Sequence, residues 1–152
     1  MGGQNNILIP ARFLVTIGHL IAMIMVKASR KRNVYASLGI VESDADYDPY
    51  NPSYDVSESA ANDQLEIALN VSYACFALDL LGMVGGFTLF FSKINLFQIV
   101  VHFIGGVYIS WFVAYGWQWE SIWYIVGFTN ITTALVEVMM LIAIFVIKIV
   151  VY

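Results

Sequence analysis

The stretch Trp117-Gln-Trp-Glu-Ser-Ile-Trp-Tyr-Ile125, which leads into an almost unbroken apolar run ending at Ile147, decides the fold of this chain. Between Ile122 and Ile147 the only strongly polar side chains are Asn130 and Glu137, and about 20 apolar residues are enough for a helix to cross a bilayer. The run therefore predicts a membrane span. Amphipathic rings are favoured at the membrane–water interface, so four aromatic residues are expected to mark the start of this span: Trp117, Trp119, Trp123 and Tyr124.

The composition places the whole chain in the membrane class. Of its 152 residues, 60% are hydrophobic and 12% are charged, whereas soluble domains have about 25% charged residues. The mean hydropathy is +0.76. The net charge of −4 comes mostly from one loop and gives no basic surface for nucleic acid. Cys75 is the only cysteine, so one chain cannot build a disulfide framework, a zinc site or an iron–sulfur site from cysteines.

Three further apolar runs accompany the first one. They predict a single all-α membrane domain covering residues 1–152, a bundle of four transmembrane helices with spans at about 7–26, 67–91, 96–115 and 122–147. The four-residue segment 92–95 and the segment 116–118 are short, so the second, third and fourth spans are expected to be antiparallel neighbours.

A long acidic first loop, residues 27–64, is expected to be soluble. It begins with four basic residues between positions 27 and 32, continues with seven acids between positions 42 and 63, and contains Pro49 and Pro52. The basic residues on the two membrane sides do not decide the orientation of the chain. The loop is either an extended connection or a docking strip for a basic partner surface, formed by Asp44, Asp46, Tyr47, Asp48, Tyr50 and Tyr54.

Five glycines in the second and third spans are expected to permit close helix packing. The spacing Gly82-x-x-x-Gly86 is the arrangement that lets two membrane helices approach closely. The complete set of expected packing residues is Gly82, Gly85, Gly86, Gly105 and Gly106.

Five ionisable side chains within the spans carry whatever chemistry the chain has, because such groups are costly in a bilayer and require partners. They are Arg12, His19, Asp79, His102 and Glu137. Counting about 1.5 Å per residue places His19 and Asp79 roughly 18 Å, and Glu137 roughly 15 Å, from the side that holds the termini. The same count places Arg12 and His102 shallower, at roughly 8 to 9 Å.

Three functions are compatible with these residues. A structural polar network needs only pairwise contacts, a proton relay needs alternating acids and imidazoles along a path, and a metal site needs three or four ligands that converge. The structural network is favoured, because no helix carries an acid and a histidine three or four residues apart, as metal-binding bundles do. No G-x-S-x-G motif or similar nucleophile context is present. We therefore expect no enzymatic activity, no metal, no small-molecule substrate and no cofactor other than bound lipid.

Several short motifs, in order along all four spans, resemble the transmembrane protein 107 family. They are Ile9-Pro10-Ala-Arg12-Phe13-Leu14, His19-Leu20, Phe76-Ala-Leu-Asp79-Leu-Leu-Gly82, His102, Trp119-Glu120-x-x-Trp123-Tyr124-Ile125-x-x-Phe128 and Glu137. The five intramembrane polar residues are among the positions that the resemblance covers. Two departures from the family are the longer, more acidic first loop and a tail, Ile147-Lys148-Ile-Val-Val-Tyr152, without a terminal basic cluster.

The resemblance implies a small tetraspan of the ciliary transition zone, a non-catalytic scaffold of the Meckel syndrome module. Such a protein works with tectonic and other integral membrane proteins to restrict exchange between the ciliary and plasma membranes. The alternative is an accessory structural subunit of an energy-transducing assembly, such as a respiratory complex of the mitochondrial inner membrane. Both alternatives imply membrane lipids and other integral membrane proteins as partners.

Overall fold

The computed structural model describes residues 2–39, 52–86, 88–89 and 91–146. The described residues form α1 (Gly2–Leu38), α2 (Pro52–Val84), α3 (Ser92–Tyr115), α4 (Ser121–Val126), a π-helical segment (Gly127–Ile131) and α5 (Thr132–Phe145). The last three elements are consecutive and make up the fourth span, Ser121–Phe145. Four helical stretches are thus long and apolar enough to cross a membrane, as the sequence predicts, and the protein is an all-α integral membrane protein.

The first two helices continue well past their predicted spans. With 37 residues, α1 is about 55 Å long at 1.5 Å per residue, whereas the hydrocarbon core of a bilayer is about 30 Å thick. The segments 27–38 and 52–64, which belong to the predicted soluble loop, are helical. Five residues of the expected docking strip, Asp44, Asp46, Tyr47, Asp48 and Tyr50, lie outside the described residues, and Tyr54 lies in the first turns of α2.

The connection between α2 and α3 differs from the prediction. Residues 92–95, expected to form the turn, are the first turn of α3, and α2 ends earlier, at Val84. Gly86 leaves the helix with a φ of 73°, a conformation that glycine adopts without strain. Gly82 and Gly86 therefore do not form one helix-packing face, because Gly86 belongs to the turn.

The four spans pack as a square in which α2 and α3 are not neighbours. Helix α1 packs against α2 and α3, and the fourth span also packs against α2 and α3. Helices α2 and α3 therefore occupy one diagonal, and α1 and the fourth span occupy the other. The expectation that α2 and α3 are adjacent was wrong, because the connection through residues 85–91 is long enough to cross from corner to corner.

Helices α1 and α3 run parallel along a heptad seam. Arg12 contacts Asn95, His19 contacts His102, and Asn33 contacts Phe112, so residue numbers increase together along the two helices. Buried positions recur with three- and four-residue spacing, the pattern of a coiled-coil seam. They include Arg12, Thr16, His19, Met23, Val26, Ser29 and Asn33 in α1, and Asn95, Gln98, His102, Gly105, Ile109 and Phe112 in α3.

The inside of the bundle is divided along its axis. An apolar core lies toward the side of the α3–α4 connection and includes Met23, Leu65, Phe112 and Ile122. Trp117, Trp119 and Trp123 pack against this core from the edge, whereas the Tyr124 side chain is 80% exposed. Toward the side of the amino terminus, buried polar residues replace the apolar core, and these residues form the candidate site.

Candidate functional site: two buried polar clusters

The arginine cluster is centred on an ion pair inside the membrane region. Arg12 Nη2 lies 3.0 Å from Glu137 Oε2, and both side chains are 0% exposed. Gln98 Nε2 donates to the same carboxylate oxygen at 2.9 Å, and the Thr88 hydroxyl donates to Glu137 Oε1 at 2.8 Å. Arg12 Nη1 also donates to Thr88 Oγ1 and Asn95 Oδ1. Both charges are thus paired and hydrogen-bonded, the condition under which ionised groups are tolerated away from water.

Thr88 and Asn95 link this ion pair to the turn between α2 and α3. Thr88 lies in the turn itself, and Asn95 donates from Nδ2 to the Leu89 carbonyl oxygen at 2.8 Å. Gly82 completes the enclosure, because a Cβ atom at that position would overlap the Glu137 carboxylate. The arginine cluster, Arg12, Thr88, Asn95, Gln98 and Glu137, therefore fixes the end of α2 and the start of α3 against α1 and α5.

The histidine cluster consists of His19, Asp79, His102 and Thr133. The Nδ1 atoms of His19 and His102 are 3.2 Å apart, and His102 Nε2 lies 3.3 Å from Asp79 Oδ2 without the alignment of a hydrogen bond. The Thr133 hydroxyl donates to Asp79 Oδ2 at 2.8 Å. Each of these four side chains is at most 1% exposed. The cluster forms a continuous line of polar groups contributed by all four spans.

Glycine and aromatic neighbours set the positions of the two imidazoles. A Cβ atom on Gly105 would overlap the His19 ring, whereas one on Gly106 would make ordinary contacts with His19 at 3.6 Å or more. The Phe76 ring lies edge-on to His19, with centroids 4.9 Å apart, and stacks on His102. Of the five expected packing glycines, Gly82 and Gly105 thus have side chains of other helices directly against them, while Gly85 and Gly86 follow the end of α2.

The π-helical segment explains why so many polar residues of the fourth span face inward. A π-turn adds one residue to a helical turn, and Thr129, Asn130, Thr133 and Glu137 are all buried. Thr129 donates to the Ile125 carbonyl oxygen, and Thr133 contacts the Asn130 carbonyl oxygen at 3.0 Å. The segment thereby presents Thr133 to the histidine cluster and Glu137 to the arginine cluster.

The structure pairs the five ionisable residues differently from the depth count. Glu137, expected at the level of His19 and Asp79, pairs with Arg12, and His102, expected to be shallower, joins His19 and Asp79. The count assumed that α2 ends near residue 91 and that α3 begins near residue 96, but both limits differ. The long arginine side chain also reaches across the diagonal of the bundle.

Sequence reasoning missed the neutral partners of these charged groups and a third polar contact. Thr88, Asn95, Gln98 and Thr133 complete the two clusters, and Asn33 donates to the carbonyl oxygens of Phe112 at 3.1 Å and Trp117 at 2.7 Å. The missed signal is the heptad spacing: Asn33 continues the stripe that begins at Arg12 and His19, and Gln98 and Asn95 continue the stripe of His102.

The ligand geometry of a metal site is not found in the part of the chain that the structure describes. No three histidine, cysteine, aspartate or glutamate side chains there are close enough to share an ion.

A groove of about 440 Å³ lies between α1 and α3. Its walls are mainly apolar and include Leu14, Phe103 and Trp111, and His19 and His102 lie at its inner side.

Comparison with known proteins gives one consistent family. The family model described as Transmembrane protein (TMEM107) matches residues 8–150. Transmembrane protein 107 of Homo sapiens and that of Mus musculus are each 30% identical over 146 residues, which is 96% of this chain and 96% of each relative. Transmembrane protein 107 of Danio rerio is 29% identical over 136 residues, 90% of this chain and 93% of the relative. No solved structure matches significantly. The chain therefore belongs to the transmembrane protein 107 family.

Proposed function

We propose that this chain is a non-catalytic scaffold subunit that helps to organise a membrane assembly. The observation that carries the proposal is the pairing of the intramembrane ionisable side chains with one another inside the bundle. Groups in such contacts stabilise a packed structure, and the same contacts leave the ion pair of Arg12 and Glu137 inaccessible to a substrate.

The outer surface of the bundle supports the same role. In each span, at most 39% of the residues in the most apolar window are buried in the monomer. Large apolar side chains such as Leu81, Phe128 and Met139 are more than 60% exposed. These faces suit lipid tails and helices of other integral membrane proteins, because membrane helices associate through packing of such surfaces.

The proposed location is the ciliary transition zone. Its support is membership of the transmembrane protein 107 family over residues 8–150 together with the role that the resemblance implies. The alternative location, the mitochondrial inner membrane, belongs to the alternative function of an accessory subunit in a respiratory assembly.

Microscopy of the tagged full-length chain in ciliated cells tests the location. We expect the signal at the base of the cilium, between the basal body and the ciliary membrane, with membrane proteins of that zone in the copurified material. A signal that follows a mitochondrial inner-membrane marker, with respiratory subunits in the copurified material, would contradict the proposal and support the alternative.

A proton-flux assay distinguishes the structural role from a proton relay. Asp79, His102 and His19 lie in a line that could serve as such a relay, so this function is tested directly. We expect vesicles that contain the purified protein to show the same proton leak as vesicles that contain the Asp79→Asn or Glu137→Gln variant. A flux that the wild type adds and that either variant abolishes, with folding unchanged, would show that the polar residues conduct protons.

A further inference from the structure

The buried core contains one basic side chain that is always charged and two acidic side chains. Among the buried residues that the structure describes, Arg12 is always cationic, and Asp79 and Glu137 are the two acids. With both acids ionised and both histidines neutral, the core would carry a net charge of −1. An uncompensated charge is very costly in a medium of low dielectric constant. One further proton in the core removes this cost, and the histidine cluster is the place where it can reside.

The contacts in the histidine cluster provide a place for that proton. Two imidazole nitrogens that face each other at 3.2 Å need one hydrogen between them, because two lone pairs in that position repel. The Nε2 atom of His102 needs a hydrogen as well, because it faces Asp79 Oδ2 at 3.3 Å. Two neutral rings also satisfy both contacts, with His19 donating from Nδ1 and His102 carrying its hydrogen on Nε2, but the core then keeps its net charge of −1. If His102 supplies both hydrogens, its ring is an imidazolium, His19 accepts at Nδ1 and keeps its own hydrogen on Nε2, and the core is neutral.

We propose that His102 is an imidazolium held between the carboxylate of Asp79 and the neutral ring of His19. The histidine cluster is then a proton-binding site in the middle of the bundle, and the bound proton makes the core electrically neutral. The inference concerns the charge state of the fold and does not depend on the organelle or on the partners of the protein.

The groups around His102 favour this placement over a protonated Asp79. On the α5 side, the Thr133 hydroxyl donates to Asp79 Oδ2, and a donated hydrogen bond stabilises the ionised form of a carboxylate. On the α1 side, His19 offers an acceptor, and Arg12 already has Glu137 as its partner. On the α2 side, Phe76 stacks on the His102 ring, and the ring face of an aromatic residue attracts a cation.

The proton has a structural consequence for the bundle. Helices α2 and α3 lie on one diagonal and do not pack directly, so the contact between Asp79 and His102 is a polar bridge across that diagonal. The His102 contact with His19 then joins α1 to the same bridge. A neutral His102 would lose the charge attraction to Asp79, and with its hydrogen on Nδ1 it would also turn a lone pair toward the carboxylate.

Nitrogen NMR of the full-length protein decides the charge state directly. The chain contains two histidines, so selective ¹⁵N-histidine labelling gives only four ring nitrogens. In phospholipid nanodiscs at about pH 7.5, where an exposed imidazole is mostly neutral, we expect three of the four nitrogens to carry hydrogen. The fourth, His19 Nδ1, should show a scalar coupling to His102 Nδ1 across the hydrogen bond.

Two variants complete the test. Asp79→Asn removes the anion, and we expect it to return His102 to the neutral state, with two of the four nitrogens carrying hydrogen. Glu66→Gln makes the same change of carboxylate to amide at a side chain that is 55% exposed, and it should leave the spectrum unchanged. Two neutral rings in the wild-type protein would overturn the proposal even if Asp79→Asn failed to fold, and so would an imidazolium that persists in folded Asp79→Asn.

Discussion

Glu137 accepts hydrogen bonds from Arg12 of α1, from Gln98 of α3 and from Thr88 in the turn between α2 and α3. An ionised carboxylate near the middle of a bilayer is costly by itself. The three donors, one of which is the positively charged Arg12, offset that cost only while all of them stay in place. Removal of one partner therefore strands the others, and this cost exceeds the value of any single contact.

The ion pair can be tested by a double-mutant cycle. Breaking a buried ion pair costs about 3 to 5 kcal/mol in soluble proteins, whereas interhelical hydrogen bonds in membranes contribute about 1 kcal/mol. We expect Arg12→Met and Glu137→Met each to lower the free energy of unfolding by about 3 to 5 kcal/mol. The double variant should lose clearly less than the sum of the two single losses, because it leaves no unpaired charge. Denaturant titration in mixed micelles measures all three values, and strict additivity would contradict a direct pair.

A matched pair of glycine substitutions tests the close contact at Gly82. Gly82→Ala places a methyl group into the Glu137 carboxylate, whereas a Cβ atom on Gly18 meets nothing within 4 Å. We expect Gly82→Ala to lower the thermal midpoint, because overpacking in a filled core costs about 1 to 3 kcal/mol. Gly18→Ala should be neutral or stabilising, since alanine is the better helix former. Equal midpoints for the two variants would show that Gly82 has free space.

At the scale of single helices, α1 holds the connection between α3 and α4 in place. Asn33 donates to two carbonyl oxygens at the end of α3, and the Ser37 hydroxyl accepts from the Trp119 backbone N–H at 2.8 Å. The Phe112 carbonyl oxygen also accepts from the backbone N–H groups of Gly116 and Trp117, so Asn33 adds a side-chain donor to a helix end that already has backbone partners. The part of α1 beyond its predicted span thus ties the end of α3 and the start of the following connection to α1.

Asn33→Ala should loosen this connection selectively. The variant removes the side-chain donor to the Trp117 carbonyl oxygen, at a cost of about 1 kcal/mol, whereas the Phe112 carbonyl oxygen keeps the backbone N–H groups of Gly116 and Trp117 as donors. We expect faster hydrogen exchange in residues 116–120 with little change in residues 92–105. Lys31→Ala, on an exposed side chain of the same helical segment, is the control and should leave exchange unaltered. Uniform acceleration across α3 would mean that Asn33 supports the whole helix rather than its end.

At the scale of the whole molecule, one contact between ionisable side chains crosses each diagonal of the square bundle, among the residues that the structure describes. Arg12 and Glu137 join α1 to α5, and Asp79 and His102 join α2 to α3. Adjacent helices are held by packing along their seams, whereas the backbones of helices at opposite corners do not approach each other closely and only side chains join them across the centre. The two clusters therefore set which helices face each other across the centre and in what register.

The acidic strip supplies a prediction about the assembled molecule, although Asp44, Asp46 and Asp48 lie outside the described residues. If a basic partner surface binds this strip, changing all three to Asn should weaken copurification, and added salt should weaken it in the wild type, because both reduce charge attraction. Asp63→Asn, an exposed change on α2, is the control. Copurification that depends on neither salt nor the triple change would leave the strip as a connection only.

Much of the fold follows from local sequence. The position of each span follows from runs such as residues 122–147, because the transfer of apolar side chains into lipid depends on composition and not on neighbours. The ends of the helices were less predictable. Residues 27–38 are polar enough to suggest a loop, yet they are helical because Asn33 and Ser37 find partners on the connection after α3.

The sequence by itself determined that this protein lies in a membrane, that it crosses it with four helices, and that Arg12, His19, Asp79, His102 and Glu137 need partners inside. Only the tertiary structure decided that Arg12 pairs with Glu137 and that His102 joins Asp79 to His19. Hydropathy is a sum over neighbouring residues and is readable along the chain. Partner choice depends on helix rotation, on the π-turn at residues 127–131 and on which helices share a diagonal, and these are set by packing between residues far apart in sequence.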